Sequence, residues 1–465
     1  MASSAHMDAQ QPPSAAQTAE NAGRGNRTGS DYWWLTSGHD IAHLMRESHY
    51  PDHVARQVLS YFRQHICPKL GDEVTPASKK SGLGWDGSPF EYGIEFKSTG
   101  AGQTVRFGVD LANLKAPAAG HGHDDDAEGV LSTTDACRVV ETIVGRTPDF
   151  DDTWYRSLLA FFDQSQQTKE RQLELAAQAG HQTPIIIGFD IHPSAGPSPP
   201  ALPEAREDAA DLPVLAKVYF PPCHTAAAKG QTRWKTICQA IHQLPDISAK
   251  YPVLLDSLRM IDDYLATKPE SWQEGARYLA TDFVSPDKSR LKVYMRYPGH
   301  SFDEMWDFYT LGGRIPAPEG DKALFRDLMV LTGPGSDAAG GRSEDYTVNS
   351  DLDYTNFRRK MSCIYFSLSA KNSTPASKMG IYPANFAASD GVIARGLDTW
   401  LQKYNWPLPE RSIEEQLKSV FTHRSLEEKT GLFTFISVGR KEDPKKDLSL
   451  QLYLAPELYA SPRDW

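Results

Sequence analysis

The spacing of hydrophobic residues changes repeatedly along the chain. Ile41, Leu44 and Met45 fall on one side of a helix for which Ser37 is placed as cap, and Val54, Val58, Leu59, Phe62 and Ile66 mark a second helix from Asp52 to about Ile66. From Ser88 the period drops to two. Phe90 to Phe96 and Thr104 to Asp110 alternate strictly around Gly100-Ala101-Gly102, which reads as a β-hairpin. Helical periodicity returns over 133–146 and 153–165, with a polar continuation to about 180. Strands follow at 185–191 and 215–220, joined by a Pro-rich loop over 193–213. The same alternation then recurs: helices at 233–244 and 248–266, strands at 277–284 and 289–296, helices at 301–311 and 321–332, strands at 361–369 and 377–383, helices at 389–404 and 411–420, and strands at 431–438 and 448–454.

Five strand pairs separated by helix pairs amount to an ααββ unit used five times. Antiparallel pairs with helices between them close into a barrel only if the helices lie outside. The expected fold class is therefore α+β, an antiparallel barrel ringed by helices. A length of 465 residues alone would predict two or three domains, but strand pairs that need one another for closure predict one, over residues 30–465. Residues 1–29 are poor in large apolar side chains and are expected to be a disordered tail. Their opening Met-Ala-Ser-Ser-Ala-His-Met looks like a vector remnant.

The alternation also sorts charge. Arg290, Lys292 and Tyr294 share one face of their strand and Leu291, Val293 and Met295 the other. Lys217 and Tyr219 oppose Val218 and Phe220, Arg106 opposes Val105 and Phe107, and Glu91 opposes Phe90 and Tyr92. With helices on the apolar face, the polar faces line the lumen, where clustered cations repel one another until a polyanion such as a diphosphate compensates them.

These strings resemble the fungal aromatic prenyltransferases of the dimethylallyl-tryptophan-synthase type, from Tyr32 to about Leu454. The resemblance rests on Ser88-Pro89-Phe90-Glu91, Val105-Arg106-Phe107, Lys217-Val218-Tyr219-Phe220-Pro221, Arg290-Leu291-Lys292-Val293-Tyr294 and Leu311-Gly312-Gly313-Arg314, in that order. It implies a ten-stranded barrel and transfer of a dimethylallyl or longer group from an allylic diphosphate to an indole or tryptophan-derived ring, by metal-independent Friedel–Crafts alkylation. A phenolic, polyketide or xanthone-type acceptor, or a non-catalytic barrel that binds an anion, are the alternatives. By resemblance Glu91 is the catalytic carboxylate at the acceptor; Arg106, Lys217, Arg290, Lys292 and Lys378 hold the diphosphate; and Tyr219, Tyr294 and Tyr453 shield the allylic cation. Leu83 and Arg277 join Glu91 in contacting the acceptor. Gly380 stands where relatives have a shielding tyrosine, which predicts empty space and a larger donor pocket. Ile186 stands where some tryptophan C4-prenylating members have lysine, which argues against that regiochemistry.

Composition narrows the partners. Lys and Arg number 49 against 60 Asp and Glu, and a net charge of -11 argues against nucleic acid as a partner. No run approaches the roughly 20 apolar residues of a membrane span, and no signal peptide is evident, so a cytoplasmic protein is expected. Its partners should be an aromatic acceptor and a prenyl diphosphate, with no membrane, and a homodimer is compatible with the resemblance. Cys67, Cys137, Cys223, Cys238 and Cys363 have no CxxC pairing and read as reduced thiols. No cofactor or metal is expected. Asp124 to Glu128, Asp149 to Asp152 and Asp262-Asp263 read as solvated loops or helix caps, and His39 with His43 lacks a third ligand. The stretch Gly333-Pro334-Gly335 with Gly340-Gly341-Arg342 lacks the GK[ST] of a P-loop. Trp33, Trp34, Trp400 and Trp406 read as helix packing.

Overall fold

The structure, a computed structural model, describes residues 28–459 apart from 76–77, 79–80, 85, 101, 112–128, 194–211, 299–301, 334–361 and 441–447. The tail before residue 28, the acidic stretch at 124–126, most of the Pro-rich loop and the glycine-rich stretch after Gly333 lie outside the described residues.

Ten strands close into one antiparallel barrel: β1 (Phe90–Lys97), β2 (Thr104–Asp110), β3 (Ile186–Ile191), β4 (Val214–Phe220), β5 (Ala276–Asp282), β6 (Arg290–Tyr297), β7 (Ser362–Ser369), β8 (Asn372–Ile381), β9 (Phe433–Arg440) and β10 (Leu448–Leu454). Each pairs with its neighbours in sequence, and β10 returns to β1 from Tyr92 opposite Leu454 to Lys97 opposite Ser449. Closure leaves no open sheet edge. The start of β8 was not legible, because Asn372 to Pro375 carries no apolar alternation and pairs only as the return arm of β7.

The outer face of the barrel is the core. Phe90, Tyr92, Ile94, Val105, Phe107 and Val109 are buried beneath the helices, as are Leu291, Val293 and Met295. Phe62, from the helical segment Asp52–Ile66, sets its edge against Phe90 and Phe107 at ring distances of 5.6 and 5.8 Å. Each such side chain contributes roughly 1.5–3 kcal/mol on burial. Apolar burial outside is what obliges the polar residues of each strand to face in. Trp33, Trp400 and Trp406 are buried in this layer, while Trp34 packs against it partly buried under the Arg63 guanidinium at 5.1 Å.

Two local expectations change. Ser37 caps nothing: the first helix starts at Gly29 under a capping box made by Thr28 and Asp31, passes through a π-helical turn at Trp34–Gly38 and continues over His39–Glu47. The polar continuation after residue 165 is a separate helix, Lys169–Ala179, capped by Thr168. Among the described residues, no helix is long and apolar enough to cross a membrane.

Candidate active site

Register determines what meets inside the barrel. Around the ladder, Gly93 pairs with Arg106, Arg106 with Asp190, Gly188 with Lys217, and Lys217 with Asp282. Tyr294 pairs with Tyr365, Tyr365 with Lys378, and Lys378 with Gly439. Since side chains alternate faces, these positions share the lumen. They line it in three levels: charges at one end, tyrosines in the middle, and Glu91 at the other end.

The charged level holds all five expected cations, but with companions that the sequence reading missed. Arg106 donates to Glu95 at 2.8 Å and lies 3.6 Å from Asp190, which also pairs with Lys217. Asp282 accepts from Arg290 at 3.1 and 3.2 Å and from Lys292 at 2.8 Å. Lys378 is fully buried, hydrogen-bonded to the Ser449 hydroxyl, with its Nζ 3.9 Å from Glu95. The expected mutual repulsion of an empty cage is thus largely relieved. Among the described residues, Glu95, Asp190 and Asp282 answer three of the five positive charges. Burial opposes ionisation of both aspartates, yet Arg106 and Lys217 hold Asp190, and Lys292 and Arg290 hold Asp282, well below the usual carboxylate range. Burial and the neighbouring Arg290 lower Lys292 to about 7 in spite of Asp282. A bound diphosphate would restore its proton.

The middle level is aromatic. Tyr219 and Tyr294 lie 5.8 Å apart, Tyr278 stands 6.3 and 6.2 Å from them, and Tyr365 is 5.2 Å from Tyr294. Tyr453 stacks on Phe435 at 4.0 Å and donates to Gln451 at 3.0 Å. Burial raises the phenols of Tyr219, Tyr294 and Tyr453, so they stay neutral. Neutral rings offer π faces to a cation without offering an anionic nucleophile.

One cavity runs along these tyrosines, lined by Arg106 and Asp190 at the charged level and by Leu83, Glu91, Arg277, Tyr278, Arg296 and Phe435 towards the other end. Burial pushes Glu91 up to about 8, and the nearby Thr434 hydroxyl only partly opposes this. That hydroxyl is close enough to favour the carboxylate but makes no well-aligned hydrogen bond. Leu83 is fixed by its own turn: its N–H donates to Ser81 at 3.0 Å, Ser81 donates to Asp110 at 2.6 Å, and the Gly82 N–H donates to Thr183 at 2.7 Å. Ile186 also lines the cavity.

Two β-bulges place residues that alternation alone would turn outward. The β5–β6 register shifts between Ala276 and Tyr278, so consecutive Arg277 and Tyr278 both reach the cavity. The β9–β10 register shifts where Tyr453 opposes Phe435 and Leu454 opposes Phe433, and Thr434 and Phe435 both line it.

The void expected beside Gly380 is filled. A Cβ there would meet the Cys363 carbonyl at 3.0 Å and the Phe435 ring at 3.2 Å. The space that a tyrosine would occupy belongs to Phe435, from the neighbouring strand.

Arg296 was missed although it continues the parity of Arg290, Lys292 and Tyr294; Tyr365 and Asp190 were legible by the same rule. Another missed group is assembled only by the fold. Cys223 Sγ lies 3.5 Å from His181 Nε2 and 3.8 Å from His224 Nδ1, behind Gly82. These are metal-ligand chemistries, but the Thr183 N–H points at His181 Nδ1 from 3.3 Å. That leaves the ring proton on Nε2, facing the sulfur, as a hydrogen-bonded thiolate requires and a metal ligand does not.

Comparison with known proteins agrees with this geometry. Residues 29–416 match the family model described as tryptophan dimethylallyltransferase. The chain is 48% identical over 436 residues to the prenyltransferase phnF of Penicillium herquei, covering 93% of this chain and 92% of that one. It is 47% identical over 438 residues to the DMATS-type prenyltransferase mfmD of Annulohypoxylon moriforme, covering 93% and 94%. The fold superposes on AnaPT from Neosartorya fischeri with a TM-score of 0.69 at 18% identity, covering 94% of this chain and 97% of that one. A barrel whose lumen carries clustered cations, a tyrosine wall and a half-buried glutamate, on a chain with these relatives, belongs to the tryptophan dimethylallyltransferase family and is a fungal aromatic prenyltransferase.

Proposed function

We propose that the chain transfers a dimethylallyl group to a carbon of an electron-rich ring without a catalytic metal. The observation that carries this is the separation of a cation-rich level from Glu91, inside the lumen, by a layer of neutral tyrosines. The allylic C–O bond breaks and its electron pair leaves on the diphosphate, whose growing charge meets preorganised Arg and Lys. The ring supplies the pair for the new C–C bond, and its displaced proton passes to Glu91 or to water. A carboxylate with a pKa near 8 is well matched to proton exchange near neutral pH. An indole N–H or a phenolic O–H would each meet Glu91.

The direct test is incubation with dimethylallyl diphosphate and paired indole and phenol acceptors, following diphosphate release and product mass, with and without a chelator. Equal rates with chelator are expected. A rate that collapses and is restored by Mg²⁺ would refute the metal-free reading, and anion binding without product would favour a binding barrel.

Donor length follows from Phe435 rather than Gly380. In competition among dimethylallyl, geranyl and farnesyl diphosphates, the wild type should prefer dimethylallyl, and Phe435→Ala should shift preference towards geranyl by about tenfold, as expected for one ring's worth of apolar contact. Unchanged preference in that variant would separate donor length from this pocket.

A further inference from the structure

We infer that Cys223, held between His181 and His224, is a redox site: hydrogen peroxide oxidises its sulfur to a sulfenic acid, and the added oxygen displaces the turn that carries Leu83 into the acceptor cavity. The oxidation stands by itself, while its effect on turnover rests on the proposed placing of the acceptor beside Glu91.

The three side chains lie behind Gly82. Cys223 opens the helix Cys223–Lys229 after β4, His224 follows it, and His181 precedes β3. Hydrogen-bond direction fixes the ring protons. His181 Nδ1 accepts from the Thr183 N–H, so its Nε2–H points at the sulfur from 3.5 Å. His224 Nε2 donates to the His181 carbonyl at 3.0 Å, so its Nδ1, 3.8 Å from the sulfur, is the atom that exchanges a proton with Cys223. Burial opposes ionisation of the thiol, but His224 and His181 outweigh it and hold Cys223 well below the usual thiol range. Burial likewise opposes a charge on His224, and the sulfur outweighs it and raises the imidazole. A thiolate beside an imidazolium is the form of cysteine that oxidants attack. Burial raises the thiols of Cys67, Cys238 and Cys363 instead. Cys363 lines the acceptor cavity and yet stays protonated, so exposure to the cavity and reactivity fall on different cysteines.

Cys223 is 5% exposed, which selects an oxidant little larger than water. Its sulfur attacks one peroxide oxygen, forming an S–O bond as the O–O bond breaks and giving up two electrons. The departing hydroxide takes the proton from His224 Nδ1 and leaves as water. The product needs room that the packing does not hold. His181 presses on Gly82, where a Cβ would meet its ring at 2.8 Å. The Gly82 N–H donates to Thr183 at 2.7 Å, and its carbonyl accepts from the Tyr278 hydroxyl at 3.2 Å. Leu83 is the next residue, and it lines the cavity with Tyr278. A close-packed interior passes such a displacement on.

The test treats the intact protein at pH 7 with a small excess of hydrogen peroxide, unfolds it in excess dimedone and maps the adduct by mass spectrometry. Dimedone should mark Cys223 at least about tenfold faster than any other cysteine, as expected for a thiolate against protonated thiols. His224→Gln, which cannot hold the proton, should slow that oxidation by about tenfold. The wild-type labelling pattern decides the matter if this variant does not fold. Turnover is followed with L-tryptophan and 1,3-dihydroxynaphthalene as acceptors. Oxidation should raise the acceptor KM about tenfold, the effect of a methylene-sized misfit, and the dimethylallyl diphosphate KM by less than about twofold. Dithiothreitol should reverse the change, and Cys223→Ser should not show it. No adduct, an adduct first on another cysteine, or labelling that appears only after a chelator strips zinc from the cluster would overturn the redox site. Labelled Cys223 with both KM values unchanged, or both raised alike, would overturn the link to the Leu83 turn. Labelled Cys223 with neither acceptor prenylated would refute the placing of the acceptor and leave the oxidation standing.

Discussion

Glu91→Gln is expected to lower prenyl transfer by about 10²- to 10⁴-fold, the usual range for removing a positioned acid or base. It should do so while leaving the fold intact and, at alkaline pH, more stable. Burial raises the Glu91 pKa from 4.5 to about 8. The folded state therefore holds a proton that the unfolded chain releases between those values, and stability attributable to that proton falls as pH rises from 4.5 through about 8. Glutamine is neutral at every pH and escapes this loss. Thermal unfolding should show similar midpoints for both proteins at pH 5 and a higher midpoint for the variant at pH 9, by an amount worth at most a few kcal/mol. Wild-type kcat/KM for the acceptor should rise with pH towards 8 as Glu91 ionises. Near-normal turnover in the variant would remove Glu91 from the mechanism, and identical pH dependence of stability would place its carboxyl in contact with water.

Asp282→Asn should be the most damaging single change among the cage carboxylates. Asp282 is almost fully buried and holds both Arg290 and Lys292. Removing one partner of a buried ion pair typically costs about 3–5 kcal/mol, because it strands the other charge. Lys292, already lowered to about 7, should lose its proton more readily without the carboxylate, which weakens the cage at neutral pH. We expect a clearly lower unfolding midpoint, a KM for the allylic diphosphate raised at least tenfold, and partial recovery of the midpoint on adding inorganic pyrophosphate. An unchanged KM would mean that Asp282 supports the barrel but not the anion.

How much of this was legible follows from the reach of period two. Alternation places one residue on one face, and on that basis the lumen positions of Arg106, Lys217, Tyr219, Arg290, Lys292 and Tyr294 could be read from single strands. The same parity contained Glu95, Asp190, Asp282 and Arg296. They were passed over because a search for a polyanion site weighs cations and neglects the carboxylates that keep an empty cage stable. Other features depend on pairing between strands and have no local signature. A bulge exists only relative to a partner strand, so Arg277 and Tyr278 facing the same way could not be seen in either strand alone. The filling of Gly380's space by Phe435 needs the β8–β9 neighbourhood, and His181 meets Cys223 and His224 only through the fold. Helix starts failed for a local reason: Ser37 has the right chemistry for a cap, but Thr28 with Asp31 forms the reciprocal pair, and the chain is already helical when it reaches Ser37.

The two bulges at the acceptor end bear on how the barrel can change. The cations sit on paired ladder positions, where a one-residue slip would turn every cation on that strand out of the lumen, and a third register shift, between Ser367 and Ser369, lies across from Arg290 and Lys292. The acceptor level contains two strands that already tolerate an extra residue without losing their ladder further down. Insertion, deletion or exchange at Arg277 and Thr434 can therefore remodel which ring is accepted while the leaving-group machinery stays in register. A lineage built on this barrel can diversify its products from one end alone.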